Sequence, residues 1–444
     1  MDKILLIIIS FLLVFSRVSL AQTSMDYGKE LGAYLDYIEE YEGFSGNVLV
    51  VKGGQIVLRE SYGYGNREEK IPLAVEDRMP IGSLSKQFVA LAILGLEEEG
   101  KLSLEEKISK YFPDYSQAGS ISIEDLLLHS SGIRDFVDYR QFMKLRLEDL
   151  DQENIMKEIY RGDLAFEPGQ GFLYSNSNYF LLSLIIEEVT GRELGDYLEE
   201  KIFRPLGMKD TGLIGQGNFL RTRVQPYSPG PGVDMELENQ VLARVKGAGN
   251  IYSSLDDLYK WDRALYSDRL LARENMARWF EARQAINHNT SSAYGFRVNR
   301  ARYGRRLYHT GSTLGFTANI SRYIDYDTNI ILLSNLGQYN IGRFRDNIEK
   351  IIFDGRSFRP EPVDFDRKFL GRYSYKYGLK LNVYQKEGDF YASLLNFRPL
   401  RLFPVSGQSL RSVHSNIEFN FKDQAGEARI LEIRPYNIRA RFWK

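Results

Sequence analysis

The 444-residue sequence has no cysteine and only four histidines. Without cysteine there can be no disulfide, thiol nucleophile or zinc–thiolate site, and the redox compartment is left open. His129, His288, His309 and His414 are scattered, with no pair at metal-ligand spacing, so neither a metal nor a cofactor is expected. Excess charge is missing as well. Fifty-eight Lys and Arg against 59 Asp and Glu leave a formal net charge of −1, which offers nothing to nucleic acid or an anionic membrane. Long apolar runs are confined to the N-terminus, so no stretch of the mature chain is expected to span a bilayer.

That N-terminal run covers residues 4–15, broken by Ser10, and is followed by Ser19-Leu20-Ala21 before Gln22. It is too short for a span of roughly 20 residues and ends in a small-x-small cleavage site. A signal peptide over 1–21 and an exported product, periplasmic or secreted, follow as expectations. No cysteine follows the run, so lipid attachment there is excluded.

Residues 34–41 read as a short helix. Asn47 to Val51, Gly53-Gly54 and Gln55 to Leu58 read as a β-hairpin with a glycine turn. Ser122-Ile123-Glu124-Asp125 and Ser254-Leu255-Asp256-Asp257 are capped helix starts. Residues 178–189 form an apolar helix stopped by Gly191. Strands are expected at 316–322 and 329–334, and a helix at 341–353. Strands at both ends with helices between them predict an α+β domain, an antiparallel sheet whose first and last strands pair, with a helical subdomain alongside. Residues 135–163 are candidates to cover a cleft. Arg359-Pro360-Glu361-Pro362 marks a linker, placed at 358–364, between a domain over 22–357 and a small all-β module over 365–444.

The chemistry starts from Ile81-Gly82-Ser83-Leu84-Ser85-Lys86. A serine three residues before a lysine at the start of an apolar helix shares a face with it, at roughly 5–6 Å between Cβ atoms. The helix start also favours developing negative charge. Alone, the tetrapeptide reads first as a capping serine and a solvated lysine, because S-x-x-K recurs by chance. Two other clusters change its meaning. Tyr174-Ser175-Asn176 lies between a Pro-Gly turn and an apolar helix, and His309-Thr310-Gly311 is expected just before a strand. A tyrosine becomes a general base if a nearby cation lowers its pKa from about 10. An asparagine offers a donor and an acceptor to a substrate amide, and a strand glycine admits a close backbone.

With the three clusters in this order, the chain resembles the serine β-lactamase and penicillin-binding-protein superfamily, most closely its D-alanyl-D-alanine carboxypeptidase, class C β-lactamase and esterase branch. The resemblance covers about residues 43–335. It is supported by Leu128-His129-Ser130-Ser131-Gly132, Arg204-Pro205-Leu206-Gly207-Met208, Gly247-Ala248-Gly249-Asn250 and Tyr294-Gly295-Phe296. It implies that Ser83 is acylated, that Lys86 assists its deprotonation and that Tyr174 shuttles the proton. It further implies that Asn176 holds the substrate amide and that the N–H groups of Ser83 and Ser312 form the oxyanion hole.

The third triplet departs from the class C pattern. Histidine stands where those enzymes commonly carry lysine, and a neutral His309 gives a substrate carboxylate less fixed charge. The expected partner is therefore a small peptide or ester rather than a β-lactam, with Arg297 a candidate for the missing cation and His129 a structural residue. β-Lactamase activity and a non-hydrolytic penicillin-binding sensor are the alternatives. The C-terminal module resembles lipocalin-like or short-barrel appendages and is a candidate cleft cap or oligomerisation surface.

Overall fold

The computed structural model describes residues 25–136, 151–215, 220–227, 233–337, 339–357, 364–374, 378, 380–394, 399–412, 417–424, 428–434 and 438–442. The leader at 1–21, most of the linker and His414 lie outside the described residues. So do parts of the two variable stretches, 135–163 and 213–240.

Asp26 caps the first helix, α1 (Tyr27–Glu42), through its side chain, and Gly43 ends it at φ 63°. This helix is longer than the sequence suggests. The expected hairpin follows as β1 (Gly46–Lys52) and β2 (Gln55–Tyr62). Helices α2 (Ser85–Glu98), α3 (Ile123–Leu128), α4 (Asn176–Thr190), α5 (Met235–Leu242) and α6 (Leu255–Ala264) come next. The chain then forms β3 (Gln284–Asn287), β4 (Thr290–Ala293), β5 (Phe296–Ala301), β6 (Gly304–Ser312), β7 (Thr317–Tyr323) and β8 (Thr328–Ser334), and closes with α7 (Ile341–Asp354). These strands make one antiparallel sheet in the order β2-β1-β8-β7-β6-β5-β4-β3, so the first and last strands pair, Gly46 opposite Ser334.

The sheet is covered on both faces, and alternation along β1 sorts the side chains. Val48 and Val50 pack with α1 and α7, whereas Leu49 and Val51 face the larger core around α2. Helix α2 is buried nearly all round, from Phe88 through Leu94 and at Leu96. A helix apolar on every side belongs in the middle of a core, which gives Ser83 and Lys86 a rigid mount. Arg322 on β7 and Asp262 on α6, both fully buried, pair at 2.6 Å and tie that helix to the sheet. Removing the Asp262 carboxylate leaves the buried Arg322 guanidinium unpaired, at a cost of about 3–5 kcal/mol.

One expectation is extended. His309-Thr310-Gly311 does precede the expected strand, β7, but it also lies near the end of a strand of its own, β6, which pairs with β7 from Ser312↔Thr317 to Arg306↔Tyr323. The sequence hides this strand because Arg302, Gly304, Arg305 and Arg306 open it in the manner of a charged loop.

The C-terminal strands, β9 (Gly371–Ser374), β10 (Lys380–Lys386), β11 (Asp389–Leu394), β12 (Leu400–Ser406), β13 (Ser409–Ser412), β14 (Glu418–Gln424), β15 (Ala428–Arg434) and β16 (Ile438–Phe442), form a closed antiparallel barrel. Tyr373↔Phe442 pairing seals it. Phe365, Phe369, Tyr373, Phe390 and Phe421 pack together in its core. The barrel meets the α1–α7 layer, where Phe403 lies 5.4 Å from the Arg343 guanidinium. That layer covers the sheet face opposite α2. Among the described residues no helix is long and apolar enough to cross a membrane.

Candidate active site

Ser83 sits one step before the expected helix, in a 3₁₀ turn (Gly82–Leu84) that feeds α2. Gly82 takes φ 51°, and a Cβ there would come within 2.9 Å of Ser312 N. A Cβ on Gly311 would lie 1.9 Å from the Ile81 carbonyl oxygen. Two glycines thus let the end of β6 press against the serine turn, and this brings Ser312 to Ser83. Ser85 stays out of the chemistry. Its hydroxyl donates to Gly82 O at 2.7 Å and accepts from Ile251 N–H, bracing the turn.

Lys86 is fully buried, and its Nζ meets three oxygens: Ser83 Oγ at 3.1 Å, Asn176 Oδ1 at 2.8 Å and Ala248 O at 2.6 Å. Asn176 Oδ1 and Ala248 O only accept, so they fix two N–H bonds. The third direction faces Ser83 Oγ, as an N–H in the ammonium form and as a lone pair in the free amine. Tyr174 donates its hydroxyl to the same Oγ at 2.8 Å. Lys86 Nζ lies 5.0 Å and the Arg297 guanidinium 5.4 Å from the Tyr174 ring centroid, so two cations surround the place where phenolate charge would develop. The structure therefore brings Ser83, Lys86, Tyr174, Asn176 and Arg297 together. Arg297 is half-buried and lines a small cleft with His129, Phe172, Tyr174, Phe296 and His309.

His309 is 4% exposed, and Nδ1 lies 2.8 Å from Thr310 O. A carbonyl only accepts, so Nδ1 carries the proton and Nε2 is left with a lone pair. Burial, and then the charges of Arg297 and Lys86, push its pKa down to about 3. His129 terminates α3 at φ 60°, and its Nδ1 accepts from Ser175 N–H at 3.2 Å, holding the Tyr174-Ser175-Asn176 segment from behind. Burial, reinforced by Lys86, His309 and Arg297, holds it well below its usual range, in keeping with a structural part. His288 lies in the exposed turn between β3 and β4.

Three contributors carry no motif signature. Asp135 accepts from Asn176 Nδ2 at 2.9 Å, and so fixes which end of the amide faces Lys86. The Ala248 carbonyl completes the lysine cradle, and its segment was singled out in the sequence only as a family marker. Glu238 is buried beneath the loop that follows Ser312. A larger cavity of about 570 Å³, lined by Phe180, Glu187, Leu194, Arg244 and Lys246 among others, includes neither Ser83 nor Tyr174. The chemistry belongs where Ser83, Lys86 and Tyr174 meet, beside the smaller cleft that Tyr174 lines.

The comparisons with known proteins agree with this arrangement. Residues 30–351 match the family model described as Beta-lactamase. A penicillin-binding protein of Bacillus subtilis (strain 168) is 29% identical over 91% of this chain and 96% of its own length. A D-aminopeptidase of Brucella anthropi is 30% identical over 64% of this chain and 54% of its own. The crystal structure of D-amino acid amidase from Ochrobactrum anthropi SV3 with D-phenylalanine superposes with a TM-score of 0.65 at 25% identity, over 74% of this chain and all of that one. With the family model spanning most of its length and hydrolases among its relatives, the chain belongs to the beta-lactamase family and is a serine hydrolase of the β-lactamase and penicillin-binding-protein superfamily.

Proposed function

We propose that this hydrolase cleaves amide or ester bonds on the carbonyl side of a D-amino-acid residue through an acyl-enzyme on Ser83. The observation that carries the reading is the pair of contacts on Ser83 Oγ, from Lys86 Nζ at 3.1 Å and Tyr174 Oη at 2.8 Å. The Ser83 proton passes to the Lys86–Tyr174 pair, which acts as one coupled acid–base unit. Oγ then bonds to the substrate carbonyl carbon, and the oxyanion is held by Ser83 N–H and Ser312 N–H. Collapse expels the amine or alcohol, which takes the proton back through Tyr174. A water deprotonated by the same pair then attacks the acyl-enzyme, releases the acid and restores Ser83.

Asn176 keeps a second N–H beyond the one given to Asp135, available to a substrate carbonyl. A neutral His309 provides no fixed cation for a carboxylate, which favours a peptide, amide or ester over a β-lactam. Arg297, whose guanidinium lies 5.4 Å from the Tyr174 ring, is the proposed carboxylate contact. The D-configuration is supported by the named activities of the D-aminopeptidase and D-amino acid amidase relatives. The leader at 1–21 supports export, so the substrate is met outside the cytoplasm.

The test is a panel of D- and L-aminoacyl p-nitroanilides, D-Ala-D-Ala peptides, p-nitrophenyl esters and a chromogenic cephalosporin, with Ser83→Ala as blank. The expected result is a D-over-L preference of at least about tenfold and a Ser83-bound acyl adduct by mass spectrometry. Cephalosporin turnover exceeding that of every D-aminoacyl substrate would move the assignment to β-lactamase. Absence of any adduct with a fluorophosphonate would remove the hydrolytic reading.

A further inference from the structure

Glu238 lies on α5 with no exposed surface. Among the described residues, no other aspartate or glutamate of the site is sealed off so completely. Gly315 N–H donates to its Oε2 at 3.1 Å, while Oε1 has no hydrogen-bond partner. The Thr313 side chain and the Leu314 N–H are the other polar groups turned towards the carboxyl. All of these belong to one loop, residues 313–316, which joins β6 to β7 immediately after Ser312. The loop is tight. Thr313 N–H donates to Phe316 O at 3.0 Å, Phe316 N–H donates to Thr313 Oγ1 at 3.1 Å, and a Cβ on Gly315 would lie 2.1 Å from Pro226 Cβ.

Helix α5 is otherwise an ordinary packing element, with Leu242 buried against Ile214, Leu220 and Val245. Burying a carboxyl there without a cation costs several kcal/mol that an apolar side chain of similar volume would avoid. Fold stability therefore does not account for a glutamate, but the loop it holds does. The helix ends at Leu242, and the turns that follow it carry Val245, whose carbonyl accepts from Ala248 N–H, and the Ala248 carbonyl that receives Lys86. The helix and the turns after it thus contact both the oxyanion side and the lysine side of the centre.

We propose that Glu238 is a positioning residue for the oxyanion hole: its carboxyl holds the 313–316 loop so that Ser312 N–H stays aimed at the place where the carbonyl oxygen becomes charged. The proposal rests on the assignment of Ser312 under the function proposed above. It requires that loosening Glu238 weaken the transition state more than the bound substrate. Losing a whole oxyanion donor costs about 10²–10³ in kcat, so a displaced one should cost less.

The experiment measures kcat, KM and the affinity of an aryl boronic acid, whose tetrahedral adduct mimics the oxyanion, for Glu238→Ala and Glu238→Gln. All values are taken per active site titrated with a fluorophosphonate. Glu238→Ala should lower kcat and boronate affinity together by about 10- to 100-fold, with KM within about threefold. Glu238→Gln keeps an acceptor for Gly315 N–H and should stay within about threefold of the parent in every value. A Glu238→Ala enzyme with unchanged kcat and boronate affinity overturns the proposal, as does Glu238→Gln impaired as deeply as Glu238→Ala. Should Glu238→Ala fail to fold, Thr313→Ala removes the facing hydroxyl from the other side. It should give the same split at about threefold, and an unchanged kcat there would overturn the proposal. Fluorophosphonate labelling undiminished in Ser83→Ala would instead sink the parent reading, whatever Glu238 does.

Discussion

His309 should make this protein acid-sensitive in a window set by its own burial. Its pKa falls from 6.5 to about 3, first through desolvation and then through the charges of Arg297 and Lys86. In the unfolded chain the ring binds a proton below 6.5; in the folded chain it stays neutral down to about 3. Stability from this group is therefore complete above pH 6.5 and lost as pH falls towards 3. At 1.36 kcal/mol per pH unit, the full loss is about 5 kcal/mol, of which about 3 kcal/mol is gone at pH 4.5. His309→Gln keeps a donor for Thr310 O and does not titrate. Urea unfolding of both proteins at pH 7.5, 6.0, 5.0 and 4.5 should show a constant difference above pH 6.5, and a drift below it in favour of the variant. Effects of all other carboxylates cancel in that difference. Arg297→Ala should leave the onset near pH 6.5 but end the drift at a higher pH and make it smaller, since Arg297 is the largest charge acting on the ring. Parallel curves for parent and His309→Gln down to pH 4.5 would show that His309 protonates freely in the fold, and the reasoning would fail.

Three further outcomes follow from the same contacts. Lys86→Met removes the donor shared by Ser83, Asn176 and Ala248 and should lower kcat by about 10³ or more in a steady-state ester assay, as expected for loss of general base catalysis together with two buried hydrogen bonds. Asp135→Ala frees the Asn176 amide to rotate and should reduce kcat about tenfold with little change in melting temperature, read by kinetics alongside thermal unfolding. Gly311→Ala puts a methyl group 1.9 Å from a backbone oxygen, so β6 must move off the serine turn; soluble yield and fluorophosphonate labelling should both collapse, whereas a fully labelled variant would contradict the close packing of the β6 end against that turn.

Much of the fold can be read locally. The hairpin shows in the Gly53-Gly54 turn, and two helix starts show in Ser122 and Ser254, whose side chains cap Asp125 N–H and Asp257 N–H in the structure. What escapes is structure whose cause lies elsewhere in the chain. Strand β6 begins with charged residues because Arg306 reaches Glu349 on α7 at 3.2 Å, a partner 43 positions away. Strands β3 and β4 are polar and short and owe their existence to pairing, β4 with β5 and β3 with β4. Helix α1 extends to Tyr27 because Asp26 caps it and Leu31, Tyr34, Leu35 and Ile38 lie on the sheet, despite Gly28 and Gly32 near its start.

The site divides along the same line. Residues that must present a particular functional group to substrate or to one another are visible as motifs, since no other side chain replaces a serine, lysine or tyrosine in that place. Residues that hold those groups are hidden, because a backbone carbonyl such as Ala248 O has no side-chain signature and a carboxylate such as Glu238 looks in sequence like its neighbour Glu236. Helical geometry separates the two glutamates: residues two apart point about 200° from each other, so Glu236 meets solvent while Glu238 meets the 313–316 loop. Burial then acts on the hidden acid and the visible base in opposite senses. It raises Glu238 to about 7 and lowers His309 to about 3, disfavouring charge on both. His309, on the oxyanion strand itself, is accordingly uncharged near neutral pH, which leaves Lys86 and Arg297 as the basic side chains beside the Tyr174 ring. Such a field favours developing negative charge on the phenol and the carbonyl oxygen, and it leaves the substrate's carboxylate, where there is one, to Arg297.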